Sequence, residues 1–454
     1  MRRIALALLL TVACSRDLPP GASRTVVDRS HPGSPVIFVG LDGADWRLLE
    51  PFMADGTMPE LAKIVARAET RVLLTQHPPL SPLVWTSMMT GVSPLEHRIL
   101  DFTRYSPLTR QQEPITSDER AVPALWNMAR AGGKRVAVFG MWATYPAEEG
   151  IVLTDRDLPR DYVEATNLLH ARALATIREQ KPDLSIIYFQ GTDEIGHLTS
   201  GDLARARDYF RRIDTIVGEY RALADGMDAQ LVIASDHGFD WGGMHDQSST
   251  ATATAAKWHR QEGVWLRYPR DRARLAPAHV VEVCPMLLDI LGLPGRDTFD
   301  YRRVWRRPAP VRSAGSTNES VAKLEALGYL SSTAPAPAGT TSTRTPQSFN
   351  NEGLLLREAK RVDEAERAFV EALRLDPHYP SARQNLDDLL SVRGIARLRA
   401  HDCAGALADF RAITRETALG WAAITAAEGC LGHEQAAADA FARAQKLDPT
   451  LKAP

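Results

Sequence analysis

Leu231-Val232-Ile233-Ala234-Ser235-Asp236-His237 is a short apolar run that stops on an acid and a histidine. Two other stretches have the same form. Val36-Ile37-Phe38-Val39-Gly40-Leu41 ends on Asp42, and Ile186-Ile187-Tyr188-Phe189-Gln190-Gly191-Thr192 ends on Asp193, with His197 one helical turn further on. Runs of this length, bounded by Gly and polar residues, read as buried strands of a parallel sheet. Open α/β sheets bind ligands at the carboxyl ends of their strands. The three runs are therefore expected to deliver Asp42, Asp193, His197, Asp236 and His237 to one rim. Imidazoles mixed with carboxylates, without a thiolate, suit zinc, manganese or iron better than calcium.

Around these strands, helical and strand-like segments alternate from about residue 34 to 312. Helices are expected over 59–68, 122–131, 203–224 and 280–291, and strands over 71–74 and 135–139. This alternation predicts an α/β domain with a mainly parallel sheet flanked by helices.

Farther along, Phe349, Gly353, Ala365, Phe369, Ala372 and Pro377 take the characteristic positions of a tetratricopeptide unit, a helix pair of about 34 residues. Trp421, Ala437, Phe441, Ala444 and Pro449 repeat the frame, and Gly394 and Phe410 fit a degenerate unit between them. An all-α repeat domain should follow, its small residues letting paired helices approach and its aromatics filling the seams. Within it, Cys403 and Cys430 fall at neighbouring ends of antiparallel helices, where either a disulfide or two buried thiols would fit. Residues 331–347 are rich in Ser, Thr, Ala, Pro and Gly and read as a solvated linker. A repeat domain held on such a linker should bind a protein or peptide partner and contribute nothing to the chemistry.

The chain has 454 residues, room for two or three domains, and a formal net charge of −2 that gives no support to a nucleic-acid surface. Four cysteines are too few for a disulfide scaffold or a Cys-rich zinc module. Met1-Arg2-Arg3 followed by an apolar run from Ile4 to Leu10 has the form of a secretory signal, too short for a stable membrane span. Thr11-Val12-Ala13-Cys14 resembles a bacterial lipoprotein cleavage box, with Thr11 where an aliphatic residue is usual. The expected layout is a signal over 1–13, a tether over 14–33, the α/β domain over 34–312, a linker over 313–347 and the repeats over 348–454. An exported protein of the cell envelope or periplasm, anchored to a membrane through lipidated Cys14, follows from this reading.

Between the first two acidic strand ends lies Pro79-Leu80-Ser81-Pro82-Leu83-Val84-Trp85, running on to Thr90-Gly91. Ser followed by Pro starts helices well, with Ser at the cap. The free N–H groups and positive end of such a helix favour an alkoxide or a bound phosphate.

Taken together, Leu41-Asp42-Gly43, Ser81-Pro82 with Thr90-Gly91, Asp193-Glu194-Ile195-Gly196-His197 and Ser235-Asp236-His237-Gly238 resemble the alkaline phosphatase superfamily, in particular its type I phosphodiesterase and nucleotide pyrophosphatase branch. The resemblance implies that Asp42, Ser81, Asp236 and His237 hold one divalent metal. Asp193, His197 and a downstream histidine would hold the other. His259, which precedes Gln261-Glu262-Gly263-Val264-Trp265-Leu266, fits that last role better than His245. Zinc is the expected metal. Three aspartates and a Ser81 alkoxide would balance the charge of two such cations, leaving a site that admits an anionic ester.

The resemblance further implies cleavage of phosphodiesters or pyrophosphates through a covalent phosphoserine at Ser81. An envelope phospho-alcohol transferase and a phosphomonoesterase remain alternatives within this chemistry, and a non-catalytic repeat adaptor is the alternative outside it. The branch carries an asparagine shortly after the histidine matched by His97, whereas this chain has Arg98 next and Asp101-Phe102 nearby. Arg98 or Arg104 is therefore expected to grip the phosphate. Ser81-Pro82-Leu83-Val84-Trp85 lacks the arginine that a sulfatase needs.

Overall fold

The computed structural model describes residues 33–242, 255–311, 318–330 and 335–452. The expected signal over 1–13, Cys14 and His245 lie outside these residues. The strands of the main sheet are β1 (Val36–Leu41), β2 (Glu69–Leu74), β3 (Val136–Phe139), β4 (Ile151–Leu153), β5 (Leu184–Phe189), β6 (Gln230–Ala234), β7 (Glu262–Tyr268), β8 (Ala273–Arg274) and β9 (Ala278–His279). They form one nine-stranded sheet in the order β8-β2-β7-β6-β1-β5-β3-β4, with β9 also on β2. The central strands β6, β1, β5, β3 and β4 run parallel, and β7 enters antiparallel between β2 and β6. The mainly parallel sheet is thus as the sequence suggests.

Why the apolar runs sit at the centre follows from the pleat, which sends successive side chains to opposite faces. Val36, Phe38, Ile186, Tyr188 and Val232 enter one core, while Ile37, Val39, Ile187, Phe189, Leu231 and Ile233 enter the other. Both faces are covered, so the runs need no polar alternation. The expected helices appear, with shifted ends: Pro59–Val65, Leu125–Ala131 and Leu203–Met227, and a short turn leading into Val283–Ile290. Pro123 explains the late start of the second, because the residues around it cannot join an α-helix from its amino side.

Register then fixes the rim. Leu41 pairs with Phe189 and Gly40 with Ala234, so the three strands end level with one another. The next residues are Asp42, the turn into helix α1 (Gly191–Thr199), and Ser235-Asp236-His237.

The C-terminal part consists of three helix pairs: Pro346–Glu358 with Val362–Leu375, Pro380–Arg399 with Cys403–Ala412, and Ala418–Cys430 with Glu434–Leu447. Gly353 lies against the Phe369 ring and Gly394 against the Phe410 ring, so closely that an added Cβ would sit 2.4 and 2.5 Å from ring carbons. Those two contacts are the repeat frame expressed as packing. Cys403 and Cys430 are joined in a disulfide across the second seam, with Cα atoms 5.9 Å apart. Among the described residues no helix is long and apolar enough to cross a membrane.

The linker expectation does not hold. Within 313–347, residues 318–326 form helix α2 (Asn318–Ala326), and Val321, Leu324, Tyr329 and Leu330 are buried in the same core as β1 and β5. Leu355 of the first repeat helix joins that core too. Tyr105 N–H donates to the Thr343 carbonyl (2.6 Å) and Ala336 N–H to the Arg110 carbonyl (2.9 Å), laying the chain along the α/β domain. Asn351 Nδ2 donates to the Leu100 carbonyl at 2.9 Å. Ser- and Pro-rich composition marks the lack of a regular element, and says nothing of whether the backbone finds partners. The repeats are docked on the α/β domain, not tethered to it.

Candidate metal centre and catalytic site

Asp42, Asp193, Asp236, His237 and His259 are buried, and their side chains converge with that of Ser81 at the carboxyl ends of β1, β5 and β6. The approach is close enough that Gly43, in the left-handed region at φ 67°, could carry no side chain: a Cβ there would lie 2.9 Å from Asp193 Oδ1. Ser81 is the first residue of the helix Ser81–Thr90, and Leu80 takes the cap position. Its hydroxyl therefore caps nothing, which corrects the expected role. Ser81 Oγ donates to Asp42 Oδ1 at 3.3 Å and lies 3.5 Å from His237 Nε2.

Carbonyl contacts fix the imidazoles. His259 Nδ1–H donates to the Pro79 carbonyl (2.6 Å) and His237 Nδ1–H to the Gly238 carbonyl (3.0 Å). A carbonyl can only accept, so Nδ1 carries a proton in both rings and Nε2 is the nitrogen turned to the cluster. There His237 Nε2 faces Asp236 Oδ2 at 3.3 Å and Asp42 Oδ1 at 3.4 Å. His259 Nε2 faces Asp193 Oδ1 at 3.4 Å, and His197 Nε2 lies 3.3 Å from Asp193 Oδ2. His237 and His259 stack with ring centroids 3.8 Å apart.

Two observations test whether these residues fit a cation. Asp193 Oδ1 and Asp236 Oδ2 are buried and accept no hydrogen bond. Among the described residues, Asp42, Asp236 and His237 form one group of converging donor atoms and Asp193, His237 and His259 another. Buried carboxylate oxygens that accept no hydrogen bond are costly unless a positive charge lies beside them. The donor set fits divalent metal.

The three carboxylates differ in their electrostatics. Burial, aided by the Asp193 charge, pushes Asp42 up to about 7, and burial with the neighbouring Asp42 raises Asp236 well above the carboxylate range. For Asp193 burial acts upward too, but positive charge on the neighbouring His197 and His259 rings outweighs it and holds the carboxyl well below its usual value. Burial, with His259 beside it, keeps His237 neutral.

Two tyrosines complete the centre, and neither is evident as a site residue in the sequence. Tyr188 donates to Asp42 Oδ2 and in turn accepts from Trp142 Nε1 at 2.8 Å. Tyr329 donates to Asp193 Oδ2. Burial pushes both phenols well above their usual value, so both remain donors. Thr192 Oγ1 fixes the turn by donating to the Asp42 carbonyl at 2.6 Å.

Arg98 and Arg104 are engaged elsewhere. Arg98 pairs with Glu352 of the repeats at 2.9 Å. Arg104 is buried among Glu113 (2.7 Å), Glu119 (3.3 Å), Asp118 (3.6 Å) and the Val311 carbonyl (2.7 Å). Its charge is already matched, so it is not the free phosphate clamp the sequence suggests. Arg104→Ala is expected to lower stability by about 3–5 kcal/mol, because it strands buried carboxylates, while the KM of the folded fraction stays near the native value. A normally stable variant with a raised KM would return Arg104 to the substrate.

The sequence profile of type I phosphodiesterases / nucleotide pyrophosphatases matches residues 36–286. The chain belongs to this family. A tetratricopeptide profile matches residues 346–379. Over 256 residues the protein is 25% identical to human ectonucleotide pyrophosphatase/phosphodiesterase family member 7, covering 51% of this chain and 53% of that one. Over 118 residues it is 27% identical to GPI ethanolamine phosphate transferase 3 of Schizosaccharomyces pombe, covering 26% of this chain and 13% of that one. The chain thus spans about half or less of the length of these relatives.

Among solved structures, an inactive variant of murine ectonucleotide pyrophosphatase / phosphodiesterase 5 in complex with AMP aligns with TM-score 0.44 and 13% identity, covering 58% of this chain and 96% of that one. Phosphonoacetate hydrolase from Sinorhizobium meliloti 1021, in complex with phosphonoformate, aligns with TM-score 0.38 and 18% identity, over 48% of this chain and 58% of that one.

Proposed function

We propose that the protein is a two-metal hydrolase of phosphodiester or pyrophosphate bonds, with Ser81 as nucleophile and Asp42, Ser81, Asp236, His237, Asp193, His197 and His259 as the metal-holding set. The observation that carries this reading is Ser81 Oγ, free of any capping duty and seated between Asp42 Oδ1 and His237 Nε2. Divalent cations bound here, zinc by the character of the donors, would supply Lewis-acid charge for the phosphoryl and leaving oxygens.

The chain's own residues do the rest. Asp42 Oδ1 accepts the Ser81 hydroxyl proton in a hydrogen bond and so enriches Oγ for attack. The backbone N–H groups at the start of Ser81–Thr90 offer the positive end of a helix to the phosphoryl oxygens. Attack by Oγ forms the phosphoserine ester as the bond to the leaving group breaks, and the departing oxygen takes up a proton. Water then hydrolyses the ester and restores Ser81.

Metal content tests the reading first. Protein stripped with a chelator should lose turnover on chromogenic phosphodiesters and regain it on reloading, with close to two equivalents of zinc retained. Retention of less than one equivalent after reloading would end the two-metal proposal. The relative named as an ethanolamine phosphate transferase favours a second reading, transfer of a phospho-alcohol group from the same phosphoserine to an alcohol. Product ratios in water with and without a competing primary alcohol separate the two.

We also infer that the protein is exported to the cell envelope and anchored through Cys14, and that its repeats bind a protein or peptide. The Cys403–Cys430 disulfide supports an oxidising compartment. Radiolabelled palmitate incorporated by the native protein and lost in Cys14→Ser would bear out the anchor; labelling of neither would remove it.

A further inference from the structure

The two aspartates that begin the paired donor groups are treated alike. Asp42 has Oδ2 occupied by the Tyr188 hydroxyl and Oδ1 turned to Ser81 and His237. Asp193 has Oδ2 occupied by the Tyr329 hydroxyl, while Oδ1 accepts no hydrogen bond and faces His259 Nε2 at 3.4 Å. In each, a phenol holds one oxygen, which in Asp193 also lies 3.3 Å from His197 Nε2, and the other oxygen faces the cluster. Such partners orient a ligating carboxylate and tune its basicity.

Their origins differ. Tyr188 sits on β5 inside the family's matched region, 36–286, whereas Tyr329 lies beyond it. Nothing local obliges residue 329 to reach the rim. It is carried there by α2, whose Lys323 binds Glu194, the neighbour of Asp193, at 2.6 Å. Its ring packs on Phe102 with centroids 4.5 Å apart and meets His197 edge-on at 5.1 Å. From the other side, Gln347 Nε2 in the first repeat helix donates to the Tyr329 carbonyl at 3.0 Å. Gln347 is itself buried, and Thr345 at the start of that helix donates to Asp101. The segment is thus gripped between the catalytic domain and the repeats.

We propose that Tyr329 is a positioning residue of the metal centre, orienting Asp193, and that the first repeat helix holds it there. This rests on the two-metal reading above. The repeats are then part of the active centre's support as well as a binding surface, and a partner that shifts the first helix would change metal retention.

The test measures zinc affinity by chelator competition in the full-length protein, alongside steady-state kinetics and thermal melting. Tyr329→Phe keeps the ring and its stacking and removes only the hydroxyl. It should weaken binding of one of the two zinc ions by about tenfold or more and lower kcat with KM little changed. Gln347→Leu leaves every side chain of the centre intact. It should weaken the same zinc ion by a smaller factor, and it decides the matter if Tyr329→Phe does not fold. Native zinc affinity in folded Tyr329→Phe overturns the positioning role, and native affinity in Gln347→Leu overturns the coupling to the repeats. If the native protein itself retains no zinc, the two-metal reading fails instead, which keeps the two failures distinct.

Discussion

Ser81→Ala is expected to lower turnover about a thousandfold or more, since it deletes the attacking oxygen and nothing nearby can replace it in the same geometry. Metal content should stay close to native, because Asp42, Asp236 and His237 remain and each offers a stronger donor than a neutral hydroxyl. The fold should hold as well, as the hydroxyl bonds only within the cluster and the helix cap lies at Leu80. Kinetics on a chromogenic diester, with zinc analysis of the same sample, check both halves. Turnover within a few-fold of native would transfer the nucleophile's role to water. Ser81→Thr should keep part of the activity, since it retains an oxygen at modest steric cost.

Cutting the chain after Val311 should have a comparably large effect, for a different reason. Val321, Leu324, Tyr329, Leu330 and Leu355 are buried in the core that also contains Val36, Phe38 and Ile186. Each such side chain contributes about 1.5–3 kcal/mol when fully buried, so their joint loss is of order 10 kcal/mol. That rivals the whole stability of a typical domain. The shortened protein is expected to aggregate or to fold without a metal site. A chain ending at Thr333 keeps α2 and Tyr329 but loses Gln347, Asn351 and Leu355. A lower melting temperature and weaker zinc retention are expected, in place of the indifference that a flexible linker would imply. If the chain ending at Thr333 melts and turns over as the full-length protein does, the docked surface carries no energy.

What can be read from the chain alone follows a physical divide. Buried parallel strands announce themselves by continuous apolar runs, and an acid at the end of such a run has few places to go but the rim. Asp42, Asp193, Asp236 and His237 are legible for that reason, and His259 through its resemblance to the family's histidine that precedes a strand. The repeats are legible because a glycine facing a phenylalanine at fixed spacing is a packing rule written in sequence. Tyr188 stands in plain view within an apolar run, where a phenol reads as core. Its hydroxyl matters only because Asp42 is next to it in space.

Tyr329 is hidden differently. Val321, Leu324 and Leu327 do carry a helical period, but the polar and Pro-rich residues after them outweigh it. Arg98 and Arg104 mislead because a lone arginine shows its charge in the sequence and conceals its partner. Glu352 is 254 residues from Arg98. Only the fold reveals that the charge is spent.

That long reach has a temporal consequence. The Tyr329–Asp193 bond spans 136 residues and the Asn351–Leu100 bond 251. Contacts so distant along the chain form late, after the entropy of closing large loops has been overcome. A nascent chain that has emerged as far as β7 holds every proposed metal ligand, yet lacks the phenol that orients Asp193. Maturation of the centre should therefore wait for the last third of the polypeptide. Pulsed hydrogen exchange during refolding would show β1 and β5 protected before the turn at Asp193. Simultaneous protection would mean that the chain closes its two ends in a single step.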